Sequence, residues 1–446
     1  MEILCDIIVV EIEETDSTHS RSMKQSSIDC DMTSNSSLDL KIWPTATVLP
    51  GPAKRALLVN NNASTEVENK VEPNDVKETR AVIIDIGTSS SKIGFAGEPK
   101  PSFVVSSTVG KPLRETFQTG DNWKEHFIGN EKVTYSSISQ KLVNPLRYGI
   151  IVEWDSIEAI LEYLFVKEMK IPSEEHAVLM SDPPLSPSTN RAKYAEMMFE
   201  TFNVPAFQIA NQSSLSMYSY GKTSGLVVEC GHGMSYAVPI IEGNVKPTLT
   251  CSADYAGSDI TKYLMQILNG RGYTFNEEHL DIIENLKHKY GYVPFDFNEE
   301  ICLPQNKYQP VHIFPDGLQI TIKKERFICP EALFQPSLID STQPSLQSMA
   351  MTCINNCDAS FKETMVNNIL LGGGTTMLPG FFERFQKELN KLSGHQKSCI
   401  SAWPDRQFCV WRGGSILASL HSFQPLWLHR REYDEHGPSI VYRKCF

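Results

Sequence analysis

The strongest constraint on the fold is a strand-and-turn pattern that occurs twice. VIIDIGTSSSKIG from Val82 and LVVECGHGMSYAV from Leu226 each run through apolar residues to a carboxylate, one further residue and a glycine, with small or polar residues before a second strand. One such stretch alone is an ordinary tight hairpin. Two imply related halves, and if each half contributes one turn, the turns can face each other across a cleft and hold a polyphosphate between them. Asp85 and Glu229 would then be directed at the water shell of a metal ion. The Thr88 hydroxyl and the amides after Gly87 can donate to phosphate oxygens, and Lys92 can bring positive charge from the returning strand. Gly231 and Gly233 let the second backbone approach an anion, but His232 and Tyr236 crowd that turn. The pattern therefore leaves open whether the loop hydrolyses its ligand or only binds it.

A third element, LLGGGTTMLPGFFERFQKEL, passes from a strand through Gly372, Gly373 and Gly374 into a helix. Bare backbone there can lie against a base or ribose, and helix-end amides can face an anion. The remaining pattern interleaves strands and helices, so the expected class is α/β. AVIIDIG is a strand by its β-branched run, and WDSIEAILEYLF predicts a helix with Asp155 as N-cap and Glu158 three residues on. NRAKYAEMMFETF and SDITKYLMQIL show helical spacing, with Gly270 placed to end the second. VHIFPDGLQITI alternates around Pro-Asp-Gly and predicts a hairpin.

With 446 residues the chain can hold more than one packed domain, since single cores stop growing near ~250–300 residues. The formal net charge is −12, from 41 Lys and Arg against 53 Asp and Glu, which argues against a broad nucleic-acid-binding surface. Residues 1–80, with 14 acidic and 8 basic residues, are rich in Ser, Thr, Asn, Glu and Lys and carry only short apolar clusters such as IWPTATVLP. They are expected to be a disordered extension, either a solvated tail or a docking segment whose clusters fold against a partner. The opening MEILCDIIVVEIEE lacks a basic leader region and is broken by Asp6 and Glu11, so neither a signal peptide nor membrane insertion is expected. Eleven scattered cysteines without a Cys-X-X-Cys pair point to a reducing compartment; Cys353 and Cys357 share a helix spacing but read as ordinary thiols.

The order DIGTSSSKIGFAGE, TNRAKYAEMMFETFNVPAF, ECGHGMSYAVPIIEG, DYAGSDITKYLMQIL, GGGTTMLPG, WRGGSILASL and EYDEHGPSIVYRKCF resembles actin from about Ala81 to Phe446. Sugar kinases and Hsp70 chaperones share the phosphate hairpins but not this C-terminal signature. SDPPLSP, SYGKTSGLVVE, GHG and FQPLWLHRREYDEHGP look most like the testis-enriched actin-like seven group. The resemblance implies a two-lobed actin-like α/β fold. The outer lobe would span 81–219 with 410–446, its upper subdomain at 107–144; the inner lobe would span 220–409, its upper subdomain at 256–340. It implies ATP or ADP with Mg²⁺ or Ca²⁺ in the cleft, the cation held through water by Asp85 and Glu229. Gly87, Thr88, Lys92, Gly231, Gly233, Lys287, Gly373, Gly374, Thr375 and Met377 match nucleotide-binding positions, and Gln212 matches the glutamine that orients attacking water.

Departures from actin fall where hydrolysis would be run. Actin has aspartates at the places of Glu229 and His232 and a histidine at that of Tyr236. Glu229 keeps the charge but adds a methylene, and a phenol with a pKa of about 10 is a poor base near neutrality. Around the nucleoside, Glu284 and His288 stand where actin has an arginine and a glutamate, and Gln407 where it has a lysine. The region matching actin's filament loop, LRETFQTGDNWKEHF, carries Glu115, Asp121, Lys124, Glu125 and His126 around isolated aromatics, and inserting it into a neighbour would desolvate charge. Tyr148 replaces a histidine that actin modifies. Leu420, Phe423, Leu426 and Trp427 resemble actin's apolar cleft for cytoskeletal and actin-binding partners, and core packing is the alternative for them.

The resulting expectation is a cytoskeletal interaction protein of the male germ cell, stabilised by nucleotide, with weak or no hydrolysis and weak self-polymerisation. The alternative is an ATP-hydrolysing, filament-forming actin. A small-molecule kinase is disfavoured because no carboxylate base facing an open sugar pocket can be named. Cytoplasm and cytoskeleton are the implied locations, with nuclear entry left open.

Overall fold

A computed structural model of the chain describes residues 80–112, 126–129, 131, 140–304, 310–314, 317, 319–394 and 397–445. The extension 1–79 and most of the candidate filament loop, residues 113–125, lie outside the described residues. Order begins with the β-branched run. Val82–Ile86 (β1) is buried at every position because it has a strand on each side. Ser90–Phe95 (β2) pairs with it antiparallel, Val178–Asp182 (β4) pairs with it parallel, and Phe103–Ser106 (β3) and Ala206–Asn211 (β5) extend the sheet. With Leu428–His429 on the far edge of β5, the order is Leu428–His429, β5, β4, β1, β2, β3.

The second sheet repeats the theme. Gly225–Cys230 (β6) and Ser235–Ile241 (β7) form its hairpin, flanked by Asn244–Val245 (β8) and Cys251–Ala253 (β9) on β7 and by Ile369–Gly372 (β10) parallel to β6. Ile400–Ser401 (β11) closes the far edge. The two hairpins share their register. Asp85 stands opposite Lys92 in the first, and Glu229 stands opposite Tyr236 in the second. Each carboxylate thus faces the residue seven positions on, and the first pair is ionic while the second is not.

Each sheet has its own apolar core. One gathers Val82, Ile93, Phe165, Phe199 and Phe207; the other gathers Leu226, Ile260, Leu371, Phe381 and Phe385. Between the sheets run two helices, Gln212–Ser219 (α3) and Cys409–Ser419 (α7). They touch backbone to backbone, since a Cβ on Gly413 would fall 1.8 Å from the Leu215 carbonyl oxygen. Gly414 does the same work toward the first sheet, where a Cβ would meet Ile83 at 2.9 Å. Trp411 then locks α7 in place by donating from its indole to the Ile83 carbonyl at 3.0 Å.

Helix ends depart from the sequence expectation in two places. The first helix, Trp154–Glu162 (α1), is preceded by Glu153, and Asp155 sits inside its first turn. Asp155 is therefore not the N-cap; a carboxylate one residue into a helix still faces the positive end of the dipole. Glu153 accepts from Ser156 Oγ at 2.9 Å and pairs with Lys111 at 2.8 Å. Both α1 and Ser188–Glu196 (α2) continue into widened π turns, 163–169 and 197–201. Gly257–Gly270 (α4) includes Gly270 as its last residue, and the left-handed position that ends it is Gly272, at φ +96°. The Val311–Ile313 and Gln319–Thr321 hairpin forms as expected. Among the described residues, no helix is long and apolar enough to cross a membrane.

Candidate functional site

The two hairpin turns meet. A Cβ on Gly233 would lie 2.9 Å from Thr88 Oγ1 and 3.1 Å from its Cγ2, so the second turn lies against the first with no room for a side chain. Among the described residues, the amides of Thr88, Ser89, His232 and Gly233 find no protein acceptor. Successive amides left open at apposed turns form an anion-binding concavity. Beside them lies a cavity of about 330 Å³, within the range of small-molecule sites. Asp85, Gly87, Thr88, Lys92, Gln212, Glu229, Gly231, Gly233, Lys287, Gly373, Gly374 and Thr375 all line it. A second cavity of about 580 Å³ opens past Thr88 and Gly233 and shares His232 and Glu284 with the first.

Asp85, 5 % exposed, pairs with Lys92 Nζ at 3.0 Å through Oδ2. Its Oδ1 accepts from Ser181 Oγ at 2.6 Å and from Gln212 Nε2 at 3.3 Å. Gln212 opens α3, whose N-cap Asn211 accepts from the amides of Ser213 and Ser214. The same helix holds the other carboxylate. Glu229 accepts from Ser213 Oγ at 2.6 Å through Oε2 and from Ser216 Oγ at 2.5 Å through Oε1. Burial pushes the Glu229 carboxyl above the usual range, with nearby Asp85 adding and the two serines opposing. Burial likewise raises the Tyr236 phenol, so that it stays protonated; its hydroxyl points at Gly149, whose φ is +72°.

At the mouth of the cleft, His232 Nδ1 lies 3.1 Å from Glu284 Oε1, with Lys287 at 3.6 Å and His288 at 3.7 Å from the same oxygen. Burial would raise Glu284, but the hydrogen bond and charge of His232, with Lys287 and His288 behind, bring it down to about 2. Lys287, on Leu280–Tyr290 (α5), is 3 % exposed and donates to the Gly257 carbonyl and to Thr261 Oγ1, both at 2.8 Å. It braces the start of α4 from the cavity wall. Thr375 Oγ1 donates to the Gly231 carbonyl at 2.6 Å, tying the third glycine element to the second turn. Gly373, at φ +87°, packs so tightly that a Cβ would meet the Cys230 carbonyl at 2.3 Å, while Gly374 has open space beside it.

Met377 is the nucleoside-side residue that does not line the 330 Å³ cavity. It lies in a shallower depression with Leu378, Phe382 and Ala402, reached past Arg406. Arg406 lines both, and was not singled out from sequence; it donates to Thr376 Oγ1 at 2.9 Å and to the Trp403 carbonyl at 3.0 Å. Ser213 and Ser216 were also missed: two serines three apart on the helix beginning at Gln212 present hydroxyls to one side, but the chain does not say that Glu229 lies there. Farther off, Phe423 and Trp427 are 3 % and 4 % exposed and pack with Trp411 and Leu417, their rings edge-on at 5.3 Å. These two belong to the core, leaving the half-buried Leu420 and Leu426 at that surface.

The family model for actin matches residues 76–446. Human actin-like protein 7A is 51% identical over 415 residues, covering 92% of this chain and 95% of the relative. The bovine protein of that name is 53% identical over 411 residues, covering 91% and 93%, and human actin-like protein 7B is 52% identical over 397 residues, covering 89% and 94%. By sequence and by the paired hairpins of its two sheets, the chain belongs to the actin family.

Proposed function

We propose that this actin-family protein is a cytoskeletal interaction protein that carries ATP or ADP between its lobes as a structural ligand, with slow or no turnover. The observation that carries the reading is the contact of Thr88 with Gly233, which leaves unpaired amides of both turns around one cavity. A ligand bound there touches both sheets. It would raise stability by mass action, about 2.7 kcal/mol at a hundred times its Kd, without being cleaved. Gln212, which donates to Asp85 Oδ1, is the residue this reading gives to orienting a water, while Tyr236 pairs with Glu229 as a protonated phenol and supplies no base.

Identification of the small molecule released from full-length protein purified without added nucleotide tests this. Recovery of ATP fits the structural ligand, and a nucleotide-free protein that takes up neither ATP nor ADP refutes it. Tyr236→His is expected to raise phosphate release by about tenfold or more. The partner surface is assigned to Leu420 and Leu426, and weak self-assembly is checked by pelleting with ATP. Service in the male germ cell follows from the likeness to the actin-like seven group and is checked by localisation in developing spermatids.

A further inference from the structure

Actin's nucleotide comes with a divalent cation, whose water shell needs carboxylate acceptors at the positions of Asp85 and Glu229. In this chain the four oxygens of that pair already have partners. Asp85 Oδ2 faces Lys92 Nζ at 3.0 Å and Oδ1 takes Ser181 and Gln212. Both Glu229 oxygens are drawn back onto α3 by Ser213 and Ser216. Mg²⁺ keeps several of its waters, and those waters need acceptors; carboxylates turned toward these partners offer its water shell fewer lone pairs.

Beside the open amides, an imidazole also stands where actin has a carboxylate. His232 lies between the two glycines of the second turn, its side chain 22% exposed, and Lys92 rises from the first hairpin with 13% exposure. His232 Nδ1 lies 3.1 Å from Glu284, which leaves Nε2 as the ring nitrogen open to a phosphate oxygen. Glu284, ionised, supports that orientation from behind.

We propose that the cleft binds its nucleoside polyphosphate without a divalent cation, with Lys92 and His232 supplying the counter-charge at the phosphates. This rests on the nucleotide reading above. The test is calorimetric titration of the full chain, freed of nucleotide, with ATP in Mg²⁺ buffer and in EDTA. Affinity is expected to change by less than about threefold between the two buffers. A loss of about tenfold or more in EDTA overturns the inference and leaves the nucleotide reading standing; no binding in either buffer overturns both. His232→Ala is expected to weaken ATP in EDTA by about tenfold, the size of one charge-assisted hydrogen bond, and to leave adenosine unchanged. Equal loss for ATP and adenosine would count against His232 as a phosphate contact. A Glu229→Asp/His232→Asp double variant should acquire a tenfold or larger Mg²⁺ dependence.

Discussion

Gly233→Ala measures the apposition of the turns. The new Cβ would stand 2.9 Å from Thr88 Oγ1, 3.1 Å from Cγ2 and 3.3 Å from Cβ. Three atoms of one β-branched side chain are in the way, so rotating Thr88 exchanges one close contact for another and the hairpins must separate by a few tenths of an ångström. Gly233 is not among the residues held at positive φ, which removes backbone strain from the comparison. Overpacking of this kind costs about 1–3 kcal/mol. Thr88→Ala removes the two nearest atoms and leaves the third at 3.3 Å, so the double variant should be more stable than the sum of the singles by about 1 kcal/mol. Urea unfolding of the four proteins, without nucleotide and followed by far-UV circular dichroism and tryptophan fluorescence, gives the cycle. Additivity within about 0.3 kcal/mol would show that the two turns do not touch, and the shared site would fall with it.

Gly413→Ala should cost about 3 kcal/mol or more, because a Cβ 1.8 Å from the Leu215 carbonyl meets backbone that cannot swing aside; the same urea titration reads it. Glu229→Gln should flatten the dependence of stability on pH. With its folded pKa raised, Glu229 keeps a proton after the unfolded chain has lost it, so native stability falls as pH rises from about 4.3 through the folded value, and unfolding followed upward from about pH 4.3 should show this slope in the parent but not in the variant. Alkylation near pH 8 mapped by peptide mass should modify the exposed Cys302 and Cys399 and spare Cys230 and Cys329, whose thiols burial raises to about 11 and about 12.

What could be read from sequence was local and repeated. Val82–Phe95 and Leu226–Ile241 declared themselves because strand, carboxylate and glycine stand close together in the chain, and register then follows from turn length. Contacts between distant segments gave no such sign. Nothing in WRGG says that Gly413 meets Leu215, and Glu229 is held by a helix whose serines are conspicuous only once α3 is known to pack behind the turn. Phe423 and Trp427 look like surface anchors by type, but the α7 helix and the first sheet enclose them. Asp155 failed as a cap because the helix begins one residue earlier: Glu153, with extended backbone at φ −136° and ψ 101°, takes the N-cap place and Trp154 is already helical, a matter of backbone dihedrals that composition at neighbouring positions does not decide.

The central claim is that one anionic tail is gripped by both hairpins at once. Titrating nucleotide-free protein with adenosine, ADP and ATP in turn measures it directly. Binding should strengthen as phosphates are added, with adenosine at least about a hundredfold weaker than ATP. Adenosine binding as tightly as ATP would place the affinity elsewhere than at Thr88 and Gly233 and contradict the account.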